Sequence, residues 1–165
     1  MIRKCQPGDI GRIYFIINEA ARAYEGFIPA DCYRQPYMPV DELEREMRRM
    51  AFFGGEVEGE LVGVTGFEPI KDVTLIRHAY VLPRWQRQGI GSQLLNHLKG
   101  LVTTSRLLVG TWADAEWAIR FYQKHGFSLL SDKDELLKAY WSIPQRQIET
   151  SVVLGQIIGH RDNAS

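Results

Sequence analysis

A glycine-bearing turn in the middle of the chain separates an apolar run from a helical pattern. The run from Leu75 to Val81 ends at Pro83, and residues 86–91 then read Gln-Arg-Gln-Gly-Ile-Gly. A helix start leaves its first backbone N–H groups unpaired and carries partial positive charge. Glycines at positions 89 and 91 remove side chains that would block an approaching group. This order of strand, turn and helix predicts an anion site of the phosphate-binding kind. The apolar positions of the predicted helix are Ile90, Leu94, Leu95, Leu98 and Leu101.

This turn does not match two common nucleotide-binding motifs. No Gly-Lys-Ser/Thr follows it, so the lysine and the magnesium-binding hydroxyl of a nucleoside triphosphate loop are missing. The third glycine of a dinucleotide fingerprint is missing as well, because position 94 is Leu. The turn also follows a series of antiparallel-type strands and does not open a βαβ unit. A nucleoside triphosphate or a dinucleotide is therefore disfavoured as the ligand.

Two segments resemble signatures of the GNAT superfamily of N-acetyltransferases. Residues 81–95 fit the pattern Val-x-Pro followed by Gln/Arg-x-x-Gly-x-Gly/Ala, with Gln86, Gly89 and Gly91 at its fixed positions. Residues 118–127 fit Ala-x-x-Phe-Tyr-x-x-x-Gly-Phe, with Phe121 and Tyr122 at the centre. The two matches stand in the family's order and spacing, and the resemblance covers residues 1–154.

Composition predicts one globular domain and excludes several partners. The chain has 165 residues, of which 45% are hydrophobic, and we expect a single domain over residues 1–158 with a flexible tail at 159–165. Its 20 basic and 20 acidic side chains cancel, which argues against nucleic acid or membrane partners. On the helix predicted over residues 41–50, arginines and glutamates, Glu46 among them, alternate as in a solvated face.

Cysteine and histidine usage bears on compartment and metals. Cys5 and Cys32 have no paired spacing and no apolar leader precedes them, so a reducing, cytoplasmic compartment is expected. The four histidines show no metal-ligand spacing, and no metal is expected.

The remaining periodicities predict a mixed α/β fold with element order βααβββαβαββ. The strand, helix and strand between residues 73 and 112 imply a parallel pair with a right-handed crossover. The resemblance implies the same architecture, in which a mostly antiparallel central sheet contains one splayed parallel strand pair and has helices on both faces. Residues 25–39 are broken by prolines and form either a substrate lid or a packed surface loop. A final strand is predicted from the alternation of Ile148, Thr150, Val152 and Leu154.

The resemblance implies that acetyl-CoA, as a co-substrate, lies in the gap between the two splayed strands. Backbone groups of the first strand would bind the pantetheine, and amides of the glycine turn would bind the pyrophosphate, with Arg84 or Arg87 adding charge. The residues expected to bind acetyl-CoA are Tyr80, Val81, Leu82, Gln86, Arg87, Gln88, Gly89, Ile90, Gly91, Ser92, Phe121 and Tyr122.

The catalytic groups follow from the same resemblance. It assigns Tyr122 the role of general acid toward the departing sulfur, and the Val81 N–H is a candidate oxyanion donor. Many relatives carry an acid where this chain has Leu75, so the general base is open between Glu68 and His78.

The predicted function is transfer of an acetyl group from acetyl-CoA to a primary amine by direct attack in a ternary complex. The acceptor is open among small amines, amino acid derivatives, antibiotics and protein termini, and the protein is expected to be a monomer or a homodimer. Leu75 motivates an alternative, a catalytically weak module that binds or senses acyl-CoA. A nucleotide-binding regulator is the third hypothesis.

Overall fold

The computed structural model describes residues 1–159, which form a seven-stranded sheet with helices on both faces. The tail predicted at 159–165 lies, apart from Gly159, outside these residues. The strands are β1 (Ile2–Lys4), β2 (Ala51–Val57), β3 (Glu60–Ile70), β4 (Val73–Val81), β5 (Arg106–Trp112), β6 (Ser128–Leu129) and β7 (Ser151–Ile157). The α-helices are α1 (Ile10–Ala21), α2 (Val40–Arg49), α3 (Ile90–Leu101), α4 (Glu116–Lys124), α5 (Lys133–Tyr140) and α6 (Gln145–Glu149).

The sheet confirms the predicted fold class. Its strand order is β1-β2-β3-β4-β5-β7-β6, and every neighbouring pair among the described strands is antiparallel except β4 with β5. The parallel pairing runs from Val73 opposite Arg106 to Ile76 opposite Val109 and ends there. Both strands continue beyond that point, so a gap opens between them.

A β-bulge lies in β4 where the gap begins. Tyr80 pairs with Val64 and Arg77 pairs with Gly66, so two residues of β4 stand opposite the single Thr65. One of these two, His78, has a φ of 55°, in the left-handed region that few side chains adopt. A bulge bends its strand and redirects side chains, which here turns the second half of β4 away from β5.

The helices pack through the apolar stripes seen in the sequence. In α1 the residues Ile13, Ile16 and Ile17 are fully enclosed, and in α3 Leu98 is fully enclosed. Full burial of such a side chain stabilises the fold by roughly 1.5–3 kcal/mol. These stripes hold α1 on β3 and β4, and α3 on β2 and β3. No helix within residues 1–159 is long and apolar enough to cross a membrane.

The prediction of the final strand was wrong at its start. Ile148 lies in α6 and Thr150 ends that helix, so that β7 begins only at Ser151. Pro144 precedes the first residue of α6 with an extended backbone, which suits a helix start. The apparent alternation of residues 148–154 therefore spans a helix end and a strand start.

Candidate active site

A cavity of about 980 Å³ occupies the gap between β4 and β5. Residues 77–81 of β4 line it on one side and residues 109–112 of β5 on the other. The glycine turn lies at one end, and α4 contributes Phe121 and Tyr122. The two sequence signatures, which are distant in the chain, thus meet in one cavity.

The glycine turn is fixed against β4 by side-chain hydrogen bonds. Gln86 Nε2 donates to the Val81 carbonyl at 3.0 Å, and Gln88 Nε2 donates to the Arg84 carbonyl at 3.4 Å. The first helical bond of α3 is donated by Gln93, so the N–H groups of residues 90–92 precede it and are available to an anion. Of the predicted binding residues in this segment, Gln88 alone does not line the cavity.

The two glycines of the turn serve different needs. Gly89 has a φ of 84° and open space around its Cβ position, so its requirement is conformational. A Cβ on Gly91 would lie 3.5 Å from the Phe121 ring, an ordinary contact. Both glycines were predicted to clear space for the ligand, and the structure gives them different roles.

Replacing Gly89 with alanine should destabilise the protein by about 1–2 kcal/mol, the cost of a left-handed conformation for a residue with a Cβ. Urea unfolding measures this change. The matched control is Gly100→Ala in α3, where the Cβ position is also open. That change should be neutral or stabilise by up to about 1 kcal/mol, because alanine favours helix. Equal stabilities for the two variants would contradict the conformational role of Gly89.

The turn end of the cavity is basic. Arg87 and Lys124 line it, and Ser92 Oγ lies 2.9 Å from His125 Nε2. Burial, together with the charges of Lys99 and Lys124, lowers the pKa of His125. No aspartate or glutamate is among the described residues that line the cavity. This end therefore suits a phosphate group.

The backbone of β4 presents a donor to the gap at Val81. The Leu82 N–H donates to the Val62 carbonyl at 2.9 Å, and Val81 stands opposite Gly63. Successive N–H groups of a strand point to opposite edges, so the Val81 N–H points away from β3 and into the gap. Leu82, in contrast, has both backbone groups occupied, because its carbonyl accepts from Trp85. The expectation that Leu82 offers free backbone groups is therefore wrong.

Tyr122 is buried, and its hydroxyl has no hydrogen-bond partner within residues 1–159. Burial, and to a smaller extent nearby Tyr24, holds the pKa of Tyr122 well above its ordinary value. The ring is fixed edge-on between Phe121 and Phe127, at centroid distances of 5.2 and 5.4 Å. The phenol is therefore protonated at neutral pH and held in place at the gap.

An aromatic wall covers the gap from the α1 side, and Tyr80 is the one member of it that was among the predicted site residues. The wall consists of Tyr24, Phe27, Tyr37, Tyr80 and Trp117. Tyr24 stacks on Tyr37 at 6.1 Å and meets Trp117 at 5.5 Å, and Phe27 meets Trp117 at 4.8 Å. Burial raises the pKa of Tyr24 to about 12. The signals in the sequence were that Tyr24 ends the apolar stripe predicted for the first helix and that residues 25–39 are rich in aromatics.

Of the two predicted base candidates, only His78 lines the cavity. Its ring stacks on Phe52 at 6.0 Å, and its Nε2 lies 3.5 Å from Glu46 Oε1. Glu46 is buried, so the prediction of a fully solvated α2 face was wrong at this position. Although burial alone favours its neutral form, the nearby His78 ring and the charges of Arg49 and Arg77 lower the pKa of Glu46. The imidazole thus lies beside the Phe52 ring and a buried carboxylate, and its Nε2 makes no hydrogen bond with a described residue.

Glu68, the other candidate, does not line the cavity. Its Oε1 lies 3.1 Å from Arg49 Nε, and its Oε2 lies 3.8 Å from Arg77 Nη1. The structure therefore places Glu68 in an ion-pair cluster behind the cavity floor. Within residues 1–159, no group of three or more His, Cys, Asp or Glu side chains is placed to hold a metal ion.

Comparison with known proteins agrees with this geometry. The family model of the acetyltransferase (GNAT) domain matches residues 48–129, which include the bulge, the glycine turn and Tyr122. The ribosomal-protein-S18-alanine N-acetyltransferase from Escherichia coli superposes with a TM-score of 0.72 at 16% identity, covering 100% of this chain and 97% of that one.

Two structures determined with coenzyme A are also similar in fold. The PaiA N-acetyltransferase from Thermoplasma acidophilum has a TM-score of 0.75 at 16% identity, covering 95% of this chain and 98% of that one. N-acetylglutamate synthase from Neisseria gonorrhoeae, complexed with coenzyme A and N-acetyl-glutamate, has a TM-score of 0.68 at 22% identity. That match covers 97% of this chain and 35% of the synthase. The chain belongs to the GNAT superfamily of acetyltransferases.

Proposed function

We propose that the protein transfers an acetyl group from acetyl-CoA to a primary amine. One observation carries the proposal: the gap that opens beyond Ile76 and Val109 leads without interruption to the glycine turn at the start of α3. An extended pantetheine arm fits a gap between strands, and a pyrophosphate fits the free N–H groups of a helix start. The similar folds solved with coenzyme A support this choice of ligand.

The chemistry needs three groups of the chain. Acetyl-CoA supplies the acetyl thioester, and the amine nitrogen forms the C–N bond while the C–S bond breaks. The Val81 N–H is aimed into the gap and is the donor for the carbonyl oxygen. His78 takes the proton that leaves the amine, and the Tyr122 hydroxyl donates to the departing thiolate.

Two measurements test the function together. Calorimetry with acetyl-CoA, ATP and NAD should detect binding of acetyl-CoA only, and thiol release should follow when an amine panel is added. Tight binding without thiol release on any amine would favour the acyl-CoA-binding module. Failure to bind acetyl-CoA would overturn the proposal.

The role of His78 has its own test, His78→Asn. Asparagine tolerates the left-handed backbone found at this position, so the variant should fold. We expect thiol release at saturating substrates to slow by about a hundredfold, the lower end of general-base effects, because water in the open cavity takes the proton in its place.

Glu68→Gln is the control for this variant, since Glu68 is the other predicted base and lies outside the cavity lining. We expect it to keep the rate at saturating substrates. If Glu68→Gln slows release as strongly as His78→Asn, the assignment of the base to His78 is wrong.

A further inference from the structure

Arg77 lines the cavity, and its guanidinium donates no hydrogen bond to any described residue. It follows Ile76, the last residue of β4 that pairs with β5, and therefore sits where the gap begins. Its side chain is only 19% exposed, yet its nearest carboxylate oxygen, Glu68 Oε2, is 3.8 Å away. Burial opposes the charge and lowers the pKa of Arg77. A largely enclosed cation in this state is costly unless a partner reaches it.

The charges of Glu46 and Glu68 partly offset this burial, but neither carboxylate accepts a hydrogen bond from the guanidinium. The other oxygen of Glu68 is engaged by Arg49 Nε at 3.1 Å. Even a closer approach of Glu68 Oε2 would use one or two of the five N–H donors of the guanidinium. No described residue accepts a hydrogen bond from the remaining donors, and the described lining of the cavity that Arg77 borders contains no aspartate or glutamate. Their acceptor must therefore come from a ligand or from water.

The wall of the gap opposite Arg77 is apolar. Across the gap, Trp141 packs on Gly110, where a Cβ would lie 3.4 Å from the indole. Leu137 and Ile143 line the same part of the cavity. A guanidinium opposite an apolar wall suits a ligand that carries one anionic group on an apolar body.

We propose that Arg77 binds a carboxylate of the amine acceptor, so that the acceptor is an amine that also carries a carboxylate and an apolar body. This inference rests on the proposed function, because it names the class of its second substrate. A guanidinium matches the two oxygens of a carboxylate with two parallel N–H donors. A polyamine is excluded by the same charges, since Arg77, Arg87 and Lys124 line the cavity and no carboxylate among the described lining residues offsets them.

Calorimetry on the protein with and without saturating CoA tests the inference through binding of reaction products. The probes are N-acetylphenylalanine and 6-acetamidohexanoate, each compared with its own carboxamide. In the wild-type protein at least one acid should bind about tenfold or more tightly than its amide, as expected for a hydrogen bond to a charged group. Arg77→Gln should abolish this difference, and Arg77→Lys should retain part of it as a point charge.

Arg48→Gln is the matched control, because Arg48 is exposed on α2 and lies outside the cavity lining. It should leave the preference for acids unchanged. The inference would be overturned by any of three results. These are equal binding of acid and amide, a preference for the acid that persists in Arg77→Gln, and no binding of either acid. The CoA titration reports separately on the proposed function. A failure of the carboxylate inference is therefore distinguishable from a failure of the proposed acetyl transfer.

Discussion

Tyr122→Phe should lower the rate of thiol release at saturating acetyl-CoA and amine by about a hundredfold to ten-thousandfold, the range of a lost general acid. The substitution removes one oxygen that makes no hydrogen bond with any described residue, so the fold should not change. Because burial raises the pKa of Tyr122, the proton stays on the hydroxyl until negative charge develops on the sulfur. Thiol-release assays with saturating substrates measure this rate. Calorimetry should show an unchanged dissociation constant for acetyl-CoA.

The other phenols at the gap provide the control. Tyr24 and Tyr80 are also held protonated by burial, and both lie in the aromatic wall. Tyr24→Phe and Tyr80→Phe should change the rate far less, since these hydroxyls lie on the α1 side of the gap, where they contact Tyr37 and Thr111. If Tyr24→Phe lowers the rate of thiol release as much as Tyr122→Phe does, the general acid has been assigned to the wrong tyrosine.

Local signals were enough to predict the parts of the site that lie within one short segment. The glycine turn was predicted because its strand, its two glycines and the apolar stripe of α3 follow one another in the chain. The parallel pairing of β4 with β5 was predicted for a similar reason, since a helix between two strands enforces a crossover. Both depend only on the order of consecutive elements along the chain.

Features that depend on register could not be predicted. Whether β4 contains a bulge at His78 depends on how it aligns with β3, and nothing in the strand itself sets that alignment. The same alignment decides that the N–H of Leu82 is paired with Val62 and that the N–H of Val81 faces the gap. Three adjacent residues, Tyr80 to Leu82, were predicted as ligands from the sequence. Which of their backbone groups are unpaired could not be predicted.

Features that depend on distant contacts were missed for another reason. Glu46 resembles its solvated neighbours on α2, and only the approach of His78 from β4 explains its burial. Tyr24 and Trp117 meet across the mouth of the gap from helices far apart in the chain. Arg77 in turn looks like an ordinary charge on a strand. Its importance is visible only once the cavity is found to contain no carboxylate among its described lining residues.

Val81→Pro should slow acetyl transfer by about a hundredfold to a thousandfold, the effect of removing one oxyanion donor. Proline lacks the N–H that points into the gap, and it costs no ladder hydrogen bond, because that N–H points away from β3. The rate at saturating substrates should fall, while urea unfolding should show a stability near that of the wild type. Val81→Ala keeps the N–H and shortens the side chain, so it should retain most of the rate. If alanine slows transfer as much as proline does, the loss comes from packing against α3, and the backbone donor has no role in the reaction.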